Sequence, residues 1–234
     1  MGGLEILIVV PILLVVAFIG WLAWRAEQKR REELAALAHR LGLRFEPGRD
    51  RSHDERYHHF EVFRQGHSRC ALNVLSGSIT QHELAWPVLL GDYEYKITTS
   101  NGKSTSTTTY RFSFLIVHLP YAGVADVLIR PEGLFDRLKS VVGFDDIDFE
   151  SAEFSRAFYV KSPDRRFAYD LIDARMMEFL LGTRPSLIDM ENDRILITDG
   201  RNRWKPAQFE GQLKWVQEYV DRWPRHVVDA LHRD

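Results

Sequence analysis

The longest uninterrupted hydrophobic pattern lies at the N-terminal end of the chain. Nineteen consecutive residues without a charge run from Ile6 to Trp24, and Arg25 ends the run. As an α-helix this run would be about 28 Å long, close to the ~30 Å hydrocarbon core of a bilayer. Trp21 and Trp24 suit the aromatic belt at a membrane surface. The pattern predicts a transmembrane anchor over residues 1–24.

A cleaved signal peptide is the alternative for this run. Signal peptides start with a basic region, contain a shorter apolar stretch and end at a small-residue cleavage site. The N-terminal tail here has no Lys or Arg, and the run ends in Trp21-Leu22-Ala23-Trp24. These features favour a retained anchor. Pro11 lies inside the run and can kink the helix without preventing it from crossing a membrane.

Basic residues flank this run only on its C-terminal side. They are Arg25, Lys29, Arg30 and Arg31. The positive-inside rule therefore predicts a single-pass protein of the inner (plasma) membrane with a cytoplasmic C-terminal domain. The single Cys70 agrees with a reducing compartment, because such proteins need no disulfide framework. The four basic residues are also candidate contacts to anionic lipid; the alternative is that they only set topology and solubility.

Helical periodicity continues beyond the membrane segment. The apolar positions with helical spacing are Leu34, Leu37, Ala38 and Leu41. Gly42 is a suitable residue for ending a helix. The pattern predicts a juxtamembrane amphipathic helix over residues 25–42, whose apolar stripe docks on a soluble domain of residues 43–234.

Strand patterns dominate the first half of the soluble domain. The strand-like segments are 57–64, 69–75, 84–99 and 105–119. Gln65-Gly66-His67 predicts a hairpin turn between the first two, and Asn101-Gly102, the strongest short hairpin signal, joins the last two. The polar tip of this second hairpin, Asn101, Gly102, Lys103 and Ser104, is a candidate contact loop because loop tips on a rigid scaffold often carry function. The alternative is an ordinary solvated turn.

Helices and strands alternate in the second half. The predicted strands are 126–129, 146–149, 154–161, 186–190 and 194–198, and the predicted helices are 131–141, 167–181 and 206–232. Pro224 is expected to break or kink the last helix. Short turns between strands and separate helices predict the α+β class, with an N-terminal transmembrane helix, a mainly antiparallel sheet and several packed helices.

No motif in the chain completes a known chemical signature. Gly102-Lys103-Ser104 matches the end of a phosphate-binding loop, but Ile97 stands where the first glycine is required. His67 and Cys70 have the spacing of two zinc ligands without a second pair. Residues 146–150 match the start of a calcium loop that then lacks its glycine and final glutamate. We predict no cofactor, no metal site and no recognisable catalytic residue.

Composition narrows the choice of function. A net charge of −2 over 234 residues gives no general attraction to nucleic acid, so no nucleic-acid partner is predicted. The leading hypothesis is a membrane-tethered cytosolic interaction module with an unknown protein partner. A membrane-associated hydrolase is one alternative, because a catalytic triad is recognised by geometry and not by sequence position. A lipid-surface sensing domain is the other.

Several short motifs carry a resemblance when they are taken together. They are Gly91-Asp92-Tyr93-Glu94-Tyr95, Gly102-Lys103-Ser104, Leu119-Pro120, Ile129-Arg130-Pro131-Glu132-Gly133, Asp145-Asp146-Ile147-Asp148-Phe149-Glu150-Ser151, Phe154-Ser155-Arg156 and Phe158-Tyr159-Val160-Lys161-Ser162-Pro163-Asp164. In this combination, over residues 33–200, the chain resembles membrane-anchored bacterial proteins grouped as a domain of unknown function. Gly91 departs from the Phe expected there. The resemblance implies a prokaryotic inner-membrane anchor and an α+β domain, with no activity to carry over.

Overall fold

One antiparallel sheet organises the domain in the computed structural model, which describes residues 3–132 and 147–233. The strands are β1 Arg44–Asp50, β2 His67–Gln81, β3 Leu84–Ser100, β4 Thr105–His118, β5 Tyr121–Ala122, β6 Val127–Pro131, β7 Phe158–Lys161, β8 Leu187–Glu191, β9 Arg194–Thr198 and β10 His232–Arg233. Eight of them form the main sheet in the order β1-β2-β3-β4-β9-β8-β6-β7, and β5 pairs with β10. The α+β class is therefore confirmed.

Seven helices are described, together with a 3₁₀ helix at Glu61–Arg64. They are α1 Gly3–Leu41, α2 His53–Arg56, α3 Ala152–Ala157, α4 Arg165–Leu171, α5 Ala174–Thr183, α6 Pro206–Asp221 and α7 Arg225–Ala230. Pro224 separates α6 from α7, as predicted. The predicted helix over 131–141 lies almost entirely outside the described residues.

The helix α1 runs unbroken from the apolar segment into the domain. It is the one helix among the described residues that is long and apolar enough to cross a membrane. Its large apolar side chains from Val9 to Trp24 are all exposed, whereas Leu34 and Leu37 are buried in the main core. Gly42 ends the helix with a φ of +67°. The docking of the apolar stripe on the domain is confirmed.

The two faces of the sheet have separate cores. On the face that packs against α1 and α6, Leu75, Leu90 and Leu115 join the larger core. On the opposite face, Tyr93 and Phe112 join an aromatic cluster covered by α2 and the 3₁₀ helix. Alternation along each strand separates the two sets, because successive side chains point to opposite faces.

The predicted strand over residues 57–64 is wrong. This segment begins with the turn that follows α2 and then forms the 3₁₀ helix, and it covers the aromatic face of the sheet. Tyr57, Phe60 and Phe63 recur every third residue and are all buried. A spacing of three residues is helical. The residues between these three positions gave the segment the alternating pattern of a strand, which hid that spacing in the sequence. Strand β2 pairs instead with β1 and β3.

Three further expectations in the second half need correction. Residues 154–161 are not one strand, because Ser151 caps α3 by accepting a hydrogen bond from the Phe154 amide. Residues 147–149 are not in a strand. The expected helix 167–181 is two helices, since Asp173 caps the start of α5. The strands predicted at 186–190 and 194–198 are confirmed as β8 and β9, which pair through a two-residue turn in left-handed backbone conformation.

Candidate functional site

A buried ion pair locks α1 onto the sheet. Arg30 donates from Nε and Nη2 to the two carboxylate oxygens of Asp92 at 2.8 and 2.6 Å, and from Nη1 to the Trp204 carbonyl oxygen at 2.7 Å. The Ser113 hydroxyl and the Asn73 amide also donate to Asp92, at 2.6 and 3.2 Å. Asp92 is completely buried. Every partner that a buried carboxylate needs is therefore present.

A second carboxylate extends this helix–sheet joint toward the membrane segment. Glu27 accepts hydrogen bonds from Asn73 at 3.0 Å and Arg203 at 2.8 Å. Burial alone would raise the pKa of Glu27, but the hydrogen bonds from Arg203 and Asn73 outweigh it, so the pKa is lowered. The domain is thus fixed to α1 from a point three residues after Trp24.

Because of this joint, the four candidate lipid contacts are not equally available for contact. Arg30 points into the domain and is engaged with Asp92, which removes it from contact with lipid. Arg25 lies over the Trp21 ring, with its guanidinium carbon 5.2 Å from the ring centre. The side chain of Lys29 is 77% exposed. Arg25 and Lys29 keep the exposure that a lipid contact requires, whereas Arg31 is half-buried.

The register of contacts shows which end of the sheet faces the membrane segment. Arg30 binds Asp92 near the middle of β3. Leu43, just past the C-terminal end of α1, packs against Gly77, which pairs with Val88 near the start of β3. The N-terminal direction of α1 therefore matches the C-terminal direction of β3. The β3–β4 turn therefore lies toward the apolar N-terminal segment of α1, and the β2–β3 turn lies at the distal end.

Chain lengths indicate how far the β3–β4 turn extends. From Asp92 to Ser100 the strand covers about 26 Å. From Arg30 back to Trp24 the helix covers about 9 Å. Even with about 45° between strand and helix, the strand end advances about 18 Å along α1, which is past the level of Trp24.

This end of the β3–β4 hairpin is a two-stranded arm, here defined as residues 97–108. Strand β2 leaves the ladder where His67 pairs with Lys96, and β9 pairs no further than Phe114. Within the arm, Ile97–Ser100 pair only with Thr105–Thr108, so no described strand lies beside the backbone groups on its two outer edges. Such edges are templates for pairing with another chain.

The four residues at the tip of the arm form an ordered turn. The side-chain oxygen of Asn101 accepts hydrogen bonds from the backbone amides of Lys103 and Ser104, at 3.1 and 2.9 Å. Gly102 has a φ of +81°, in the left-handed region that favours glycine. All four side chains are exposed. The turn is available for contact and holds no phosphate-binding helix, since β4 follows it directly.

A second polar cluster lies on the opposite face of the sheet. A cavity of about 190 Å³ is lined by Glu61, Arg64, Asp126, Val127, Leu128, Lys161, Ser162, Pro163, Asp189 and Glu191. Asp189 is 7% exposed and receives no hydrogen bond on its carboxylate from the described residues. Burial, and then the charge of Glu191, raise the pKa of Asp189 well above its ordinary value. Burial and Asp126 raise the pKa of Glu191 to about 7.

The second cluster does not assemble a nucleophile with a base. The Ser162 hydroxyl donates to the Asp126 carbonyl oxygen at 2.7 Å and accepts from the Asp164 amide at 3.1 Å. What the cavity provides is a set of carboxyl groups whose pKa values are raised by burial. Such groups can exchange protons.

The possible metal ligands do not come together. His67 is exposed and bonds to Ser68 and Thr98, whereas Cys70 is buried beside Arg49. Asp145 and Asp146 of the acidic run lie outside the described residues. Within the described ranges, no group of three or more His, Cys, Asp or Glu side chains is arranged to hold a metal ion.

Sequence reasoning missed both buried aspartates, Asp92 and Asp189. Each lies in a strand with apolar or aromatic neighbours, as in Leu-Gly-Asp-Tyr and Leu-Ile-Asp-Met. A charged residue at a strand position whose neighbours predict burial is the available signal. It marks the residue but does not reveal whether a partner exists.

Together these features define an α+β protein in which a helix long enough to cross a membrane continues into the core of an antiparallel-sheet domain. The chain is similar in structure to the mycobacterial trehalose monomycolate transport factor A, TtfA, with a TM-score of 0.58 and 16% sequence identity. The match covers 86% of this chain and 97% of that crystal structure. At this identity the likeness shows the fold alone. No protein-family model and no curated protein matches the sequence.

Proposed function

We propose that this chain is a membrane-tethered interaction module of bacterial type that acts by binding a partner. Residues 1–24 form the anchor, residues 25–42 the rigid connection, and residues 43–234 the binding domain. The basic residues after the apolar segment, Arg25 and Lys29 among them, support a cytoplasmic position for this domain at the inner membrane. The observation that carries the proposal is the Arg30–Asp92 joint, because it holds the sheet in one orientation relative to α1.

The arm is the proposed contact surface. The joint turns it toward the apolar end of α1, and no described strand pairs with the backbone groups on its outer edges. Its only charged side chain is Lys103. The arm can therefore approach the polar surface of a bilayer at a small cost in desolvation free energy. An isolated two-stranded hairpin is only marginally stable in water, and a partner strand or surface would stabilise it.

The likeness to TtfA suggests the kind of process. That protein is a mycobacterial trehalose monomycolate transport factor. A shared fold does not transfer function by itself. Together with the membrane-facing arm, it supports a role in an assembly that moves lipids or glycolipids, with the arm contacting a membrane-embedded protein of that assembly.

A photocrosslinking amino acid at Ser104 of the full chain tests this proposal in native membranes. The expected result is a discrete adduct with a multi-span membrane protein. The matched control places the same amino acid at Glu83 in the distal β2–β3 turn, where no such adduct is expected. Equal adducts from both positions, or none from Ser104, would contradict the arm as the contact surface.

A membrane-associated hydrolase remains a second candidate, and the cavity around Asp189 is the observation that favours it. Carboxyl groups with raised pKa values in a cavity are typical of general acids. Asp189→Asn and Glu191→Gln should each abolish hydrolysis of a substrate identified by screening. Binding through the arm would be unaffected by either change.

A further inference from the structure

A basic cavity lies beside the base of the arm. It has a volume of about 280 Å³ and is lined by Arg49, Arg51, Ser68, Arg69, Cys70, Glu94 and Lys96. It therefore brings four cationic residues and one acidic residue to a single opening. No motif in the sequence pointed to this cavity, because its residues come from β1, β2, β3 and the segment after β1.

The acidic residue of this cavity is already neutralised. Glu94 accepts hydrogen bonds from Arg111 Nε at 2.6 Å and Arg49 Nη1 at 3.1 Å. Burial would raise the pKa of Glu94, but the hydrogen bond and charge of Arg111, joined by Arg49, lower it. Glu94 thus remains ionised, and Arg49 and Arg111 balance its negative charge.

The remaining charge of the cavity is positive. Arg69 pairs with Asp54 at 2.8 Å on the other side of its strand. The side chains of Arg51 and Lys96 form no hydrogen bond or ion pair with any described residue. Two uncompensated cations therefore line the cavity, beside the guanidinium of Arg49, whose side chain is 52% exposed.

Measured along α1, the cavity lies near the level of Trp24, where the surface of a bilayer is expected. Lys96 is four residues beyond Asp92 toward the arm, about 13 Å along β3. Trp24 is about 9 Å from Arg30 along α1. Asp92, Glu94 and Lys96 alternate along the strand and so share the face on which α1 packs. Lipids around the point where α1 leaves the membrane are therefore the nearest source of anions.

We propose that the cavity binds the phosphate headgroup of an anionic phospholipid from the bilayer that holds α1. Guanidinium groups match phosphate oxygens in geometry, and a lysine adds a mobile charge. Free inorganic phosphate has the same chemistry, so the two sources must be separated by experiment. The inference rests on the proposed seating of the domain against the membrane and requires no protein partner.

The experiment uses the full chain in neutral detergent micelles and measures binding by calorimetry. The probes are dioctanoyl-phosphatidylglycerol, dioctanoyl-phosphatidylcholine and inorganic phosphate. We expect binding of phosphatidylglycerol that exceeds binding of the other two. Arg51→Gln with Lys96→Gln should weaken it at least about tenfold, because each basic residue near a surface contributes to the attraction of anionic lipid. Each single substitution should have an intermediate effect.

Two further variants make the result specific. Arg165→Gln with Arg166→Gln removes two exposed cations of α4, and binding should be unchanged. Arg25→Gln with Lys29→Gln removes the exposed cations of α1. Loss of binding only in this last variant would assign the lipid to α1 and overturn the cavity site. Equal binding of phosphate and phosphatidylglycerol, or unchanged binding in the Arg51 and Lys96 variants, would also overturn it. Failure of the arm to crosslink leaves this measurement unaffected.

Discussion

Two buried aspartates on opposite faces of one sheet have contrasting surroundings. Asp92, on the face packed against α1, receives hydrogen bonds from Arg30, Asn73 and Ser113. Asp189, on the other face, receives none from the described residues and lies beside a second carboxyl group. The first arrangement secures a joint between helix and sheet. The second leaves a carboxyl group with a raised pKa at the wall of a cavity.

The contrast shows that burial of a charge does not by itself identify a functional site. A fully paired charge fixes one geometry, and removing either partner is costly. An unpaired buried carboxyl shifts its pKa instead and destabilises the fold when it is ionised. The four predictions that follow test this distinction.

Removing the partner of Asp92 should have the largest effect. Arg30→Met leaves the buried carboxylate without its hydrogen-bonded counter-charge, with only the Arg203 guanidinium 3.9 Å away, and should lower the free energy of unfolding by about 3–5 kcal/mol. Chemical denaturation of the full chain in micelles measures this change. Lys29→Met is the matched control and should change stability by less than about 0.5 kcal/mol, because Lys29 is exposed. A small loss in Arg30→Met would show that the joint is not fixed by this pair.

Replacing Asp189 should have the opposite sign. Asp189→Asn removes a buried carboxyl that has no hydrogen-bond donor, and at pH 8 we expect a gain of about 2 kcal/mol. Thermal unfolding at pH 8 measures it. Asp92→Asn serves as the comparison and should destabilise. If both changes destabilised the protein to a similar degree, the two aspartates would not differ in the way described.

His53 provides a third buried polar group for comparison. It is completely buried among aromatic rings, with both ring nitrogens lacking a partner in the described structure. Burial lowers the pKa of His53 to about 3, so stability should fall as pH drops from about 6.5 toward 3. His53→Phe should remove this dependence and raise stability by about 1 kcal/mol at neutral pH. A loss of stability there would indicate overpacking or an unseen partner for the imidazole.

The smallest expected effect is the pH dependence that arises from Glu191. Its pKa is raised to about 7, mainly by burial. The stabilising contribution of its neutral form is complete below the unfolded-state pKa near 4.5 and is lost as pH rises through about 7. Glu191→Gln should flatten this part of the profile by about 1 kcal/mol, since partial exposure screens the charge. An unchanged profile would show that Glu191 does not titrate there.

The local pattern of apolar and turn residues was sufficient to predict several elements of the fold. The apolar run and the stripe at Leu34 and Leu37 predicted α1 and its docking, and Asn101-Gly102 predicted the long hairpin. These features depend on residues that are neighbours in the chain. The segment 57–64 failed because its alternating polar residues concealed a period of three.

The site could not be predicted in the same way. The partners of Asp92 include Arg30, 62 positions away, and the hydrogen-bond acceptor for Arg30 at Trp204 is 174 positions away. The level of the arm relative to Trp24 follows only from this long-range pairing. The basic cavity likewise collects Arg51 and Lys96 from separate segments.

Depth-dependent quenching tests the orientation of the sheet most directly. A single fluorophore is attached at Lys103→Cys or at Glu83→Cys, in the full chain with Cys70→Ser, in bilayer nanodiscs that contain headgroup spin-labelled phosphatidylcholine. We predict strong quenching at position 103, in the tip of the arm, and little at position 83, in the distal turn. Equal quenching at both positions, or stronger quenching at position 83, would contradict a sheet held with its β3–β4 end against the membrane.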